Sequence, residues 1–145
     1  MFCMFTKRGE YAHKAAMALA VSGNGYVKAK HLAEKESIPL PFLKKLIAAL
    51  KQRGIVETRT GKQGGVILRK DPTKVSLLDI VNAVEKEPVL SACPFPAKQC
   101  TYRPLCGVSA EWSKLVTQMT DTMRKVTLAD LMRTKNETSA LHARG

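Results

Sequence analysis

No stretch of this chain approaches the ~20 consecutive apolar residues that a helical membrane span requires. There is also no P-loop, no dinucleotide-binding glycine fingerprint and no nucleophile–base pair, so catalysis is not expected. Tight C-x2-C or C-x4-C knuckles, the usual mark of structural zinc, are missing as well. Neither an internal repeat nor a low-complexity segment occurs. Acid is scarce: 12 Asp plus Glu stand against 24 Lys plus Arg in 145 residues, a net charge of +12. That excess calls for an anionic partner, with nucleic acid first and an anionic membrane surface second. No segment combines a basic face with the strong amphipathicity of a membrane-surface helix, so no membrane partner is expected. A hydrophobic fraction of 45% argues against global disorder.

The start of the chain imitates an export signal, with Lys7 and Arg8 ahead of an apolar stretch at 15–21 that contains Ala18-Leu19-Ala20. Glu10, His13 and Lys14 interrupt that pattern, so the expected location is the cytoplasm. In a reducing compartment four cysteines read as metal ligands, reactive groups or core residues rather than disulfides.

Apolar spacing predicts helices over 6–21, 28–34 and 40–53, separated by Ser22-Gly23-Asn24-Gly25 and by Ser37-Ile38-Pro39. Two β-branched runs, 55–59 and 66–68, flank the glycine-rich tip Gly61-Lys62-Gln63-Gly64-Gly65 and predict a hairpin. Ser76 can cap a fourth helix reaching about residue 85. The segment 87–107 holds four prolines and three cysteines and reads as irregular. A long helix is expected from about 109 to 126, then a short turn at 128–132, with 134–145 a patternless tail. The expected fold is mainly α with a small β-hairpin wing: a winged helix-turn-helix over 1–86, a cysteine loop over 87–107, and a dimerisation helix over 108–133.

A helix beginning at residue 40 can lie in the major groove, where each base pair shows a distinct pattern of donors and acceptors. Its first turns would present Pro41, Phe42, Lys44 and Lys45, although Phe42 could equally belong to the core. Lys28 and Lys30 at the start of the preceding helix suit phosphate. Arg59, Lys62 and Gln63 sit near a hairpin tip able to reach the minor groove. These charges could form an ordinary solvated face, but their concentration on one motif points to double-stranded DNA.

Cys93, Cys100 and Cys106 are spaced C-x6-C-x5-C in the proline-rich segment. Three thiolates gathered by a loop suit a soft metal or an iron–sulfur cluster. Buried structural thiols or a redox disulfide remain open on spacing alone. Cys3 stands apart and receives no role. After the cysteines, Val108, Trp112, Leu115, Val116, Met119 and Met123 form one continuous apolar face, suited to pairing with a second copy of the chain.

Together the sequence resembles the IscR/NsrR family of bacterial iron–sulfur transcription factors. The resemblance spans residues 4 to about 133. It is carried by TKRGEYA at 6–12, LAEKESIPLPFLKKLIAAL at 32–50, GKQGGVIL at 61–68, VSLLDIVNAVE at 75–85, and the cysteine triplet followed by Trp112. It implies a homodimer on a pseudo-palindromic operator, with Cys93, Cys100 and Cys106 holding a [2Fe–2S] or [4Fe–4S] cluster. The fourth ligand departs from the IscR-like pattern, because Ser109 stands where those proteins carry His. Glu10 occupies the NsrR-like position of an acidic ligand donated across the dimer, with His13 as a rival. Thr60 replaces the arginine often found before the wing glycine, and Lys44 and Lys45 replace acidic or amide residues. The resemblance implies a regulator, taken as a repressor ahead of an activator, that responds to redox state, nitric oxide or iron and cluster supply. A winged-helix regulator sensing thiol chemistry or zinc without a cluster is the alternative.

Overall fold

The structure is a computed structural model that describes residues 6–86 and 106–143, with side chains described as far as residue 138. Cys3, Cys93 and Cys100 lie outside the described residues. Helices α1 (Lys7–Ser22), α2 (Ala29–Glu36) and α3 (Leu40–Gln52) are followed by strands β1 (Val56–Arg59) and β2 (Gly65–Leu68). A 3-10 turn at Pro72–Lys74 leads into α4 (Leu77–Val84). Helices α5 (Gly107–Lys125) and α6 (Leu128–Ala143) complete the order.

Local chemistry sets most boundaries. The Thr6 hydroxyl accepts from the N–H groups of Arg8 and Gly9, supplying partners that the first turn of α1 lacks. Gly23 ends α1 at φ 68°, a left-handed geometry that costs glycine nothing. Ser37 ends α2 in the left-handed helical conformation, at φ 54° and ψ 45°, and turns the chain toward α3. Pro41 sits in the first turn of α3, where no intrahelical N–H bond is lost.

Alanine makes α1 the centre of the packing. Ala12, Ala15 and Ala16 are fully buried, and the absence of bulk there lets α3, α4 and α6 all approach α1. Leu19, Leu32, Leu43, Leu46, Leu50, Ile55, Ile80 and Leu128 fill the remaining interior, each buried side chain contributing roughly 1.5–3 kcal/mol.

The hairpin is antiparallel and pairs Val56 with Leu68 and Arg59 with Gly65. A third edge steadies it. Val27 exchanges two backbone hydrogen bonds with Val66, at 2.9 and 2.8 Å, tying the wing to the loop before α2. Gly64 and Gly65 are required here. A Cβ on Gly64 would overlap the carbonyl of Arg59, and one on Gly65 would overlap that of Val27.

Ser76 and Thr127 form matching N-terminal caps, each exchanging hydrogen bonds with the aspartate three residues on, Asp79 and Asp130. The two caps lie side by side. Leu77 N–H donates to Val126 at 2.9 Å and Leu128 N–H to Val75 at 2.9 Å. This pair of hydrogen bonds fastens the α5–α6 joint to the start of α4.

The end of the chain corrects the sequence reading. Instead of a short turn followed by a tail over 134–145, one helix runs from Leu128 to Ala143. Thr127 and Asp130 start it, and Thr134 and Thr138 return their hydroxyls to carbonyls four residues back. Its second half is exposed where side chains are described, so no apolar stripe betrayed it.

Candidate nucleic-acid interface and cysteine site

The helix-turn-helix leaves most of the expected DNA-contacting side chains exposed. Pro41, Lys44 and Lys45 are exposed on the first turns of α3, while Leu43 and Leu46 are buried beneath them. Lys30 is exposed on α2, and Lys62 and Gln63 are exposed at the wing tip. Lys28 joins two of these parts: its ammonium donates to the carbonyl of Gly61 at 2.7 Å, coupling the start of α2 to the wing.

Two candidates have additional attachments. The Arg59 guanidinium lies 5.7 Å from the Tyr26 ring centroid, a cation–π distance. The Tyr26 hydroxyl donates to Glu57 at 2.9 Å, and that bond raises its pKa. Glu57 and Arg59 share a strand face by the two-residue period, so both reach Tyr26. Arg59 therefore packs on Tyr26 at the tip end of the wing, where it pairs with Gly65. Phe42 is half-buried against the core and meets Tyr11 edge-on, with centroids 5.6 Å apart at 84°. Its alternative assignment as a core residue agrees with this packing. Sequence reasoning missed the Val27–Val66 bridge and the bond from Lys51 to Thr58 at 2.8 Å, which attaches the far end of α3 to β1. The paired glycines Gly64-Gly65 were the one available sign of a close backbone approach.

The candidate cluster ligands are divided. Cys106 is half-buried and immediately precedes α5, and its carbonyl accepts from Ser109 and Ala110. Glu10 is clamped: Lys7 approaches one carboxylate oxygen at 2.7 Å and Lys14 the other at 2.8 Å. The two lysines hold its pKa down at about 2. Both ammonium groups also lie 5.7 Å from the Tyr11 centroid. A continuous set of contacts thus runs from Glu10 through its lysines and Tyr11 to Phe42 on α3. His13 Nδ1 lies 2.9 Å from the Gly9 carbonyl, and the Leu77 backbone acts to favour the charged ring. Burial is the main influence on His13 and lowers its pKa. The Thr6 hydroxyl donates to the Glu85 carboxylate, linking α1 to the residue that ends α4.

Among the described residues no three His, Cys, Asp or Glu side chains are grouped to hold a metal ion. The donor set nevertheless fits a cluster: a partly accessible thiol at the start of a long helix, two further cysteines in the preceding segment, and an ionised carboxylate. Soft thiolates suit iron–sulfur chemistry, and the Glu10 carboxylate is engaged by Lys7 and Lys14.

Along α5 the predicted pairing face divides. Val108 and Leu115 are 53% and 51% exposed, and Trp112, Val116 and Met119 are half-buried. Met123 needs correcting: only 6% exposed, it is already covered within its own chain and has little surface left for a partner. Among the described residues no helix is long and apolar enough to cross a membrane.

The family model for Rrf2, described as an iron-dependent transcriptional regulator, matches residues 5–134. The HTH-type transcriptional regulator IscR of Klebsiella pneumoniae is 27% identical over 128 residues, covering 88% of this chain and 78% of that protein. Among solved structures, T. potens IscR is 27% identical, covers 92% of this chain and 89% of its own, and superposes with a TM-score of 0.75. The global cysteine regulator CymR of B. subtilis shares the fold at 22% identity and a TM-score of 0.73, covering 92% of this chain and 98% of its own.

Proposed function

The chain belongs to the Rrf2 family of transcriptional regulators, and from that premise we propose that it is a homodimeric DNA-binding sensor whose operator affinity is set by an iron–sulfur cluster on Cys93, Cys100 and Cys106. The observation that carries this reading is the placement of Cys106, a half-buried thiol at the junction between the cysteine-bearing segment and α5. Glu10 is the fourth ligand, donated to the symmetry-related subunit. When bound, the cluster supplies iron whose charge and coordination answer to oxidants and small ligands.

The chain's own residues relay that state. Glu10 exchanges its lysines for another partner, and Lys7 and Lys14 then redistribute over the Tyr11 ring. Tyr11 sets the position of Phe42 and with it the first turn of α3. Lys44 and Lys45 read base edges and favour guanine, whereas Lys30, Lys62 and Gln63 contact the backbone and adjacent groove. Two recognition helices must match half-sites about one helical turn apart, so a small change in α3 or α5 alters fit at both.

The test uses protein purified without oxygen and a duplex selected from random sequence. Iron with acid-labile sulfide, visible absorbance lost in Cys93→Ala or Cys106→Ala, and an operator affinity that changes about tenfold or more on cluster removal are expected. Zinc in place of iron, or a Cys106→Ala variant with full absorbance and an unchanged response, overturns the cluster assignment and leaves the thiol- or zinc-sensing regulator. A Glu10→Ala variant should keep its thiolate–iron absorbance but show an altered iron environment by Mössbauer spectroscopy.

A further inference from the structure

Away from the DNA face, α1, α2 and α6 enclose a groove of about 270 Å3. Met17, Ala18 and Val21 give it an apolar floor, and Lys14, Lys35 and Lys135 stand around it. His13 and Glu36 complete the lining. Val21 is 57% exposed, the largest exposure among the large hydrophobics described. Among the described residues neither Lys35 nor Lys135 belongs to an ion pair. Even with Glu36 opposing them, the lysines leave the groove positive.

We propose that this groove binds a small organic anion, with its carboxylate between Lys35 and Lys135 and a short apolar body over Met17 and Val21. The volume lies just below the ~300–1,000 Å3 range of small-molecule sites, which restricts the occupant to a medium-chain or single-ring acid. The lysines are separate from the expected phosphate contacts. Lys35 is at the C-terminal end of α2 and Lys28 precedes its N-terminus, roughly 10 Å away along the helix axis.

Lys14 gives the site a regulatory link. It borders the groove and simultaneously holds Glu10 at 2.8 Å. A bound carboxylate that draws Lys14 toward it loosens the clamp on Glu10. This link, unlike the binding site itself, rests on the proposed ligand role of Glu10.

Calorimetric titration of the full chain with octanoate, and with octanol as the uncharged control, tests the site without requiring a cluster. One octanoate per chain is expected, bound at least about tenfold more tightly than octanol, a difference of ~1.4 kcal/mol. The Lys35→Ala/Lys135→Ala double variant should lose that preference, and Val21→Ser should weaken octanoate severalfold. All these changes are at exposed positions, so the melting temperature and octanoate-free operator affinity should stay at wild-type values. Equal binding of octanoate and octanol, or undiminished octanoate binding by the double variant, overturns the proposal. So does loss of operator affinity in the double variant without octanoate, which would make the lysines phosphate contacts. In cluster-loaded protein, saturating octanoate should shift operator affinity; binding without any shift refutes the Lys14 link alone.

Discussion

His13 carries a measurable pH signature. Its burial disfavours the imidazolium, so the folded-state pKa lies below the ordinary value of 6.5. The unfolded chain binds the extra proton first, and stability falls as pH drops from about 6.5 toward the folded pKa. Thermal melting between about pH 7.5 and 5.5 should show that decline, and His13→Gln should flatten it. Glu10 and Asp130 lose stability in the same direction but at lower pH, since both are held at about 2 by their partners. Their contributions are complete above the ordinary carboxylate range and disappear only as pH falls through about 2. Acid unfolding should therefore begin with His13 and finish with the carboxylates. A second test concerns the wing. Gly65→Ala forces a methyl group into the Val27 carbonyl at φ 157°, and should cost about 1–3 kcal/mol in denaturant melts. These partnerships were illegible in the sequence. Lys28 and Gly61 are 33 positions apart, and nothing in either residue type announces their bond.

Helices with an apolar stripe were readable because burial imposes the 3.6-residue period on sequence. That is why the helix-turn-helix, the hairpin and α4 emerged within a few residues of their observed limits. The second half of α6 has no such stripe, and its helix is held by capping and local hydrogen bonds, which leave a fainter mark. The twin caps offer a test at this scale. Ser76→Ala and Thr127→Ala should each cost about 1 kcal/mol. Because the caps are bridged through Leu77 and Leu128, the double variant should depart from additivity by about 0.5 kcal/mol or more in a double-mutant cycle. The edge-on pair of Tyr11 and Phe42 adds another. Tyr11→Leu keeps apolar bulk yet removes the ring, and should weaken operator binding while losing about 0.5–1.5 kcal/mol of stability.

For the whole molecule, the observed helix order and hairpin match the winged architecture expected from pattern and charge. The cysteine site was legible only as residue types at a spacing, since ligand geometry depends on how a proline-rich segment folds. The apolar face of α5 remains the best candidate for subunit pairing. Leu115→Arg should convert the protein to a monomer in sedimentation velocity while its helical circular dichroism persists. Met123→Ala should behave differently, destabilising the single chain by about 2–5 kcal/mol because that side chain is buried in its own protomer. The fastening at Val75–Leu128 and Leu77–Val126 has a mechanical corollary. It fixes one end of α5 as a fulcrum, with Met123 seated close beside it and Cys106 at the opposite extremity. Nineteen residues make a lever arm of about 28 Å. A swing of about 10° at the pivot would carry the Cys106 end through about 5 Å, so a slight rotation at the joint becomes a large displacement of the thiol.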